Sequence, residues 1–159
     1  GAFRDAARNL EASGIREVLL ERIAAGVPFL GICLGLQLLA DTGLEDGEHA
    51  GLGLVPGVCE RIPAGVKVPH IGWNTLEFPR ACALFEGIPA GSAFYFVHSY
   101  HLVPRGPDSV AAWCEYGTRF AAAVNVGNVY AVQFHPEKSS TLGLKILANF
   151  GRIIEEDRQ

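Results

Sequence analysis

The sequence has little of what several classes of function require. Its 13 basic residues form no cluster, and the net charge is −4. That argues against a nucleic-acid partner and against an anionic membrane surface. No apolar run is long enough to cross a bilayer. No basic-then-apolar leader opens the chain, since "GAFRDAARNLEASG" reads as an amphipathic helix, so the cytoplasm is the expected compartment. The four cysteines, Cys33, Cys59, Cys82 and Cys114, are widely spaced with no C-x-x-C pair. Neither a zinc site nor a dithiol redox motif is indicated, and reduced cysteines are expected. His98 and His101 invite a metal reading, but on a strand they point to opposite faces and no third ligand stands at zinc spacing. No metal and no cofactor are expected. Repeats, low-complexity tracts and linkers are also lacking.

What is present is an apolar chain of 159 residues, 49% hydrophobic and 19% charged. One domain spanning 1–159, with a core sufficient for its own stability, is expected. Phe3, Ala6, Ala7 and Leu10 share a helical face that Gly14 ends. Ile15, Val18, Leu19 and Ile23 repeat the pattern up to Gly26. A short apolar strand, Pro28 to Ile32, precedes a helix from about Leu34 to Asp41. Gly43 to Gly53 is a polar loop. Strands are expected at Leu54 to Ile62, Ile71 to Phe78, Ala93 to Val103, Val110 to Tyr116, Phe120 to Val126 and Val129 to Phe134, with a hairpin turn at "NVGNV". A closing helix, Ser139 to Glu156, puts Leu142, Ile146, Leu147, Phe150, Ile153 and Ile154 inward. Helices around a buried parallel strand give an α/β class with antiparallel additions. A buried strand at 28–32 needs neighbours on both sides, and residues 1–25 read as helices. The chain is therefore expected to begin inside a domain.

The chemistry starts at "FLGICLGLQLL", where Gly31 and Gly35 flank Cys33 at the junction of strand and helix. A sharp turn there exposes its residue at the carboxyl edge of a sheet, and flanking glycines relieve crowding. This is the nucleophile-elbow pattern with sulfur in place of oxygen. The following helix start is expected to lower the thiol pKa, and the Leu34 N–H points to where an oxyanion forms. The same pattern also fits a packing cysteine. A second motif, "YAVQFHPEKSS", delivers His135 at the end of a strand, with Pro136 breaking the pairing and Glu137 two residues on. His135 fits a base to Cys33, and Glu137 fits the carboxylate that fixes its tautomer. By itself His-Pro-Glu fits a plain turn. Together the two motifs suit acyl transfer through a thioester.

These two stretches resemble the class I (triad-type) glutamine amidotransferases. "KVPHIGWNTLEF" and "YFVHSYH" are similar to the glutaminase subunits of imidazole glycerol phosphate synthase in histidine biosynthesis. The resemblance runs over essentially the whole chain. It implies a flavodoxin-like sheet flanked by helices and hydrolysis of L-glutamine to glutamate and ammonia. It makes Cys33 the nucleophile, His135 the base and acid, and Glu137 the orienting carboxylate. It assigns the oxyanion to the N–H groups of Leu34 and Gly1. Glutamine contacts fall to Gly35, Gln37, Glu45 and the backbone of Ser99 and Tyr100. Pro69, His70, Gly72, Trp73, Asn74 and Lys138 lie toward a (β/α)₈-barrel cyclase partner in a heterodimer, which receives the ammonia. The resemblance further implies roughly fifty preceding residues, a strand–helix–strand stretch ending in a Pro-Gly-Val-Gly loop whose last glycine is Gly1. The N-terminal strands of the domain are therefore expected to be missing.

Outside that resemblance, Gln37 reads as a surface residue, Glu45 as part of a solvated loop and Trp73 as core or interface. Cys59, Cys82 and Cys114 read as packing residues. Two alternatives stand beside the main expectation. One is the glutaminase of another amidotransferase, such as that of pyridoxal phosphate synthase. The other is a truncated, non-catalytic docking module.

Overall fold

A computed structural model describes residues 2–159. Two helices open the chain, α1 (Ala2–Ala12) and α2 (Ile15–Ala24), followed by β1 (Phe29–Ile32) and the short α3 (Leu34–Gln37). The strands β2 (Thr42–Gly43), β3 (His49–Ala50), β4 (Gly57–Arg61), β5 (His70–Thr75), β6 (Ala93–His98) and β7 (Tyr100–Pro104) come next. They lead to β8 (Val110–Tyr116), β9 (Thr118–Val126), β10 (Val129–Val132) and the long α4 (Ser140–Asp157). The strands form three sheets, ordered β1-β10-β9-β8, β3-β2-β4-β7 and β5-β6. This is the expected α/β class with antiparallel additions.

The first sheet positions the site. β1 runs parallel to β10, with Ile32 opposite Val132. β10 and β9 then form an antiparallel hairpin, which the turn at Gly127 closes with φ 56°. Among the described residues β1 pairs on one side only and lies at the sheet edge, so the expected second neighbour is not found within 2–159.

Two apolar clusters make the core. One joins Phe3, Leu36, Leu39 and Leu102; the other joins Phe94, Phe96, Phe134 and Ile146, under α4. Phe3 seats on Gly43, where a Cβ would stand 2.6 Å from the ring. Only glycine admits the ring there.

Four expectations need correction. The helix after Cys33 ends at Gln37, not near Asp41. The next carbonyls leave the helical ladder because the 52–55 segment takes them: Leu52 N–H donates to Leu38 O at 2.8 Å, and Leu54 and Val55 N–H both donate to Leu39 O at 2.9 Å. Ala93 to Val103 is two strands in two sheets. The chain leaves β5 after His98, opposite His70, and Tyr100 starts a new ladder opposite Arg61 on β4. The polar loop at 43–53 contributes the small strands β2 and β3. On α2, Ile15 and Val18 are exposed while Ile23 is buried, so only part of the expected apolar face is covered.

Candidate active site

Cys33 sits between β1 and α3 with φ 53° and ψ −101°. A β-carbon-bearing residue in that region stores strain, as an elbow requires. The two glycines play different parts. A Cβ on Gly31 would lie 2.7 Å from Gly35 O and 3.1 Å from Leu36 N, so the turn closes only over glycine. A Cβ on Gly35 would meet nothing within 4 Å. Gly35 relieves no crowding, contrary to expectation.

Polar groups of Gln133 and Val97 face the thiol. Gln133 Nε2 donates to Sγ at 3.6 Å, and the S–H faces Val97 O at 3.9 Å. Burial pushes the thiol above its ordinary pKa; the Leu34 N–H and the Gln133 amide act against that rise, Glu137 adds to it and Lys138 opposes it. The expected lowering is overturned. A helix of four residues sums too few peptide dipoles to outweigh desolvation.

The β1–β10 pairing brings the second motif to the same rim. Cys33 N–H donates to Val132 O at 2.8 Å, three residues before His135. β6 closes the other side: His135 N–H donates to Tyr95 O at 2.9 Å, and Cys33 Sγ faces Val97 O. Carbonyls two apart on a strand share an edge, about 7 Å from each other. His135 Nδ1 lies 2.7 Å from Glu137 Oε1, in a 3-10 turn at Pro136–Lys138. Nδ1–H therefore donates to the carboxylate and leaves Nε2 as the basic nitrogen. Among the described residues no hydrogen bond joins Sγ to the imidazole. Such contacts are often open in an unliganded site and tighten with substrate.

The remaining expected residues divide. Gln37 is buried, not at the surface; its Nε2 donates to Tyr100 O at 3.0 Å and to Gln133 Oε1 at 3.3 Å. Ser99 O accepts from Ile62 N–H at 2.9 Å, so the carbonyls of Ser99 and Tyr100 both have partners. Glu45 Oε1 accepts from Phe3 N–H at 3.1 Å, inside the first turn of α1. A carboxylate suits that helix start. Gly1 lies outside the described residues. Trp73 and Lys138 are exposed, and Gly72 adopts φ 123°. Pro69 follows a cis peptide bond. His70 does not belong to a partner surface. It is 3% exposed, stacked between Phe96 and Tyr116 with ring centroids 4.9 Å and 3.9 Å away. Strand alternation turns its ring inward onto those aromatic rings, while Ile71, Trp73 and Thr75 point outward.

Two residues went unremarked in the sequence. Gln133, fully buried, holds the sulfur; Ser139, also buried, holds the His135 carbonyl through Oγ at 2.6 Å. Both stand within "QFHPEKSS", and a polar side chain preceding a strand-end histidine was the available signal. Among the described residues no cluster of metal-ligating side chains occurs, and no helix is long and apolar enough to cross a membrane.

Comparison with known proteins places this geometry. The model of the class-I glutamine amidotransferase family matches residues 6–154. Imidazole glycerol phosphate synthase subunit HisH of Moorella thermoacetica is 55% identical over 97% of this chain and 73% of its own length. The HisH subunit of Aquifex aeolicus is 49% identical over 98% of this chain and 75% of its own. A glutamine amidotransferase structure from Thermotoga maritima superposes with TM-score 0.65 at 19% identity, covering 99% of this chain and 61% of that one. This chain thus spans about three quarters of the curated relatives it matches and less than two thirds of that structure. The likeness to that structure shows the flavodoxin-like fold. With the family model matched over most of the chain and half the residues shared with HisH subunits, the chain belongs to the class-I glutamine amidotransferases, among the HisH subunits of imidazole glycerol phosphate synthase.

Proposed function

We propose that the chain releases ammonia from L-glutamine with Cys33 as nucleophile, His135 as base and acid, and Glu137 as the carboxylate orienting it. The observation that carries this reading is a strained thiol on the sheet rim where a histidine is bonded to a carboxylate at 2.7 Å. Because burial keeps the sulfur protonated, the base must take its proton as attack begins. The thiolate adds to the side-chain amide carbon. The oxyanion forms against the Leu34 N–H. The imidazolium returns the proton to the amine, and ammonia leaves. Water, deprotonated by the same ring, opens the thioester; glutamate departs and the thiol is restored.

The partner is a (β/α)₈-barrel cyclase that consumes the ammonia. Ile71 and Trp73 support this, being 56% and 54% exposed on the outer face of β5. Trp73 stands edge-on to Tyr95, whose carbonyl holds His135. Such an apolar patch beside the site suits a docking surface that also gates the reaction. The test is Cys33→Ala in the full-length protein with its partner. Glutamine-dependent synthesis should vanish while ammonia-dependent synthesis persists. Retained use of glutamine would contradict the assignment.

A further inference from the structure

Gln133 takes no part in those steps, yet it is fully buried and its amide reaches the sulfur. It is the last link of a continuous hydrogen-bonded chain. Asn74 Nδ2 donates to Glu115 O at 2.8 Å and to His70 Nε2 at 3.3 Å. His70 Nδ1 and His98 Nε2 are 2.9 Å apart, and His98 Nδ1 lies 2.9 Å from Tyr100 O. Tyr100 O also accepts from Gln37 Nε2, which reaches Gln133 Oε1 as well.

Only one set of directions satisfies every link. A carbonyl can only accept, so His98 Nδ1 and Gln37 Nε2 carry the hydrogens that face Tyr100 O. The amide of Asn74 is fixed independently, because its Oδ1 accepts from Thr75 N–H at 2.8 Å. His70 must then accept at Nε2 and donate from Nδ1 to His98 Nε2. Gln133, accepting from Gln37 at its oxygen, turns its nitrogen to the sulfur. Each donor meets an acceptor, and the chain needs both imidazoles neutral. Burial supplies that, lowering the pKa of His70 and of His98 to about 4.

We propose that Gln133 is the positioning residue of the Cys33 thiol, and that the chain Asn74–His70–His98–Tyr100–Gln37 sets its amide from the strand that exposes Trp73. This deepens the proposed function and rests on Cys33 being the nucleophile. A partner seated on Trp73 would contact the residue next to Asn74, where the chain starts. An N–H turned to sulfur favours the thiolate over the thiol, so its loss raises the pH at which the sulfur ionises.

The test is the rate of Cys33 alkylation by iodoacetamide against pH, read by peptide mass spectrometry on the full-length protein. Glu137 and Lys138, the charges felt at the sulfur, stay in every variant. Gln133→Met should raise the midpoint by about one pH unit. His70→Phe, which keeps the stacking on Phe96 and Tyr116, should raise it by less. The double variant should match Gln133→Met alone, because both break one chain. An unchanged midpoint in Gln133→Met, or additive shifts in the double variant, would overturn the proposal. If Gln133→Met does not fold, His70→Phe decides alone: a raised midpoint supports the chain and an unchanged one refutes it. A wild-type protein that releases no glutamate with its partner would sink the glutaminase reading instead, leaving the midpoint comparison intact.

Discussion

Ser139 holds His135 in place: its hydroxyl donates to the His135 carbonyl at 2.6 Å and accepts from the Tyr95 N–H at 2.9 Å. The imidazole is thus anchored through its backbone to the strand that also faces the sulfur. Removing the hydroxyl leaves a part-buried N–H without its acceptor, a cost of about 1–3 kcal/mol. Ser139→Ala should therefore lower stability by that amount in urea unfolding. Partner-activated kcat should fall about tenfold, the scale expected when a base loses its alignment. Unchanged kcat would show that the turn holds His135 without the serine.

Gly143 governs the same turn from α4. A Cβ there would stand 2.0 Å from Pro136 O and 2.8 Å from the Ser139 side chain. Backbone has to move to admit it, so Gly143→Ala should cost about 1–3 kcal/mol and reduce glutamate release. Gly151, on the same helix, has nothing within 4 Å of its Cβ position. Gly151→Ala should leave turnover unchanged and stabilise by about 0.5–1 kcal/mol, since alanine favours helix. Thermal melts and glutamate release on the pair separate crowding from helix propensity.

What the sequence reveals of this site follows from where its physics is local. The elbow at Cys33 and the turn at His135 are legible because glycine and proline mark backbone conformations that few other residues suit. Strand 110–116 is legible, and 129–132 lies within the expected 129–134, because their apolar runs are short and bounded. The break between β6 and β7 is not. "AFYFVHSYHLV" reads as one strand, and only the pairing of Tyr100 with Arg61, far away in the chain, splits it. The inward turn of His70 depends likewise on Phe96 and Tyr116. The raised thiol pKa depends on burial, which no local pattern of residues reports.

The buried histidines make stability depend on acid. His70 and His98 have pKa values near 4 when folded, against about 6.5 when the chain is unfolded. Between those limits the unfolded chain binds protons that the folded one refuses. Stability is full above about pH 6.5 and falls as the pH drops toward 4. His101, also lowered by burial, adds to the same trend. Urea midpoints measured from pH 7 to pH 4 should fall steadily. The fall should be shallower in His70→Phe. An equal fall in both proteins would mean that carboxylates, not these imidazoles, set the acid limit.

Trp73 tests the outer face of β5 without touching the core. Its ring is half exposed and meets the Tyr95 ring at 6.0 Å, edge to face. Truncation should therefore change folding stability by no more than about 0.5 kcal/mol. An exposed tryptophan at the centre of an interface costs far more on binding, about 2 kcal/mol or above. Trp73→Ala should weaken association with the barrel partner at least tenfold in titration calorimetry, with the melting temperature held. Undiminished affinity in Trp73→Ala would move the docking surface elsewhere on the chain.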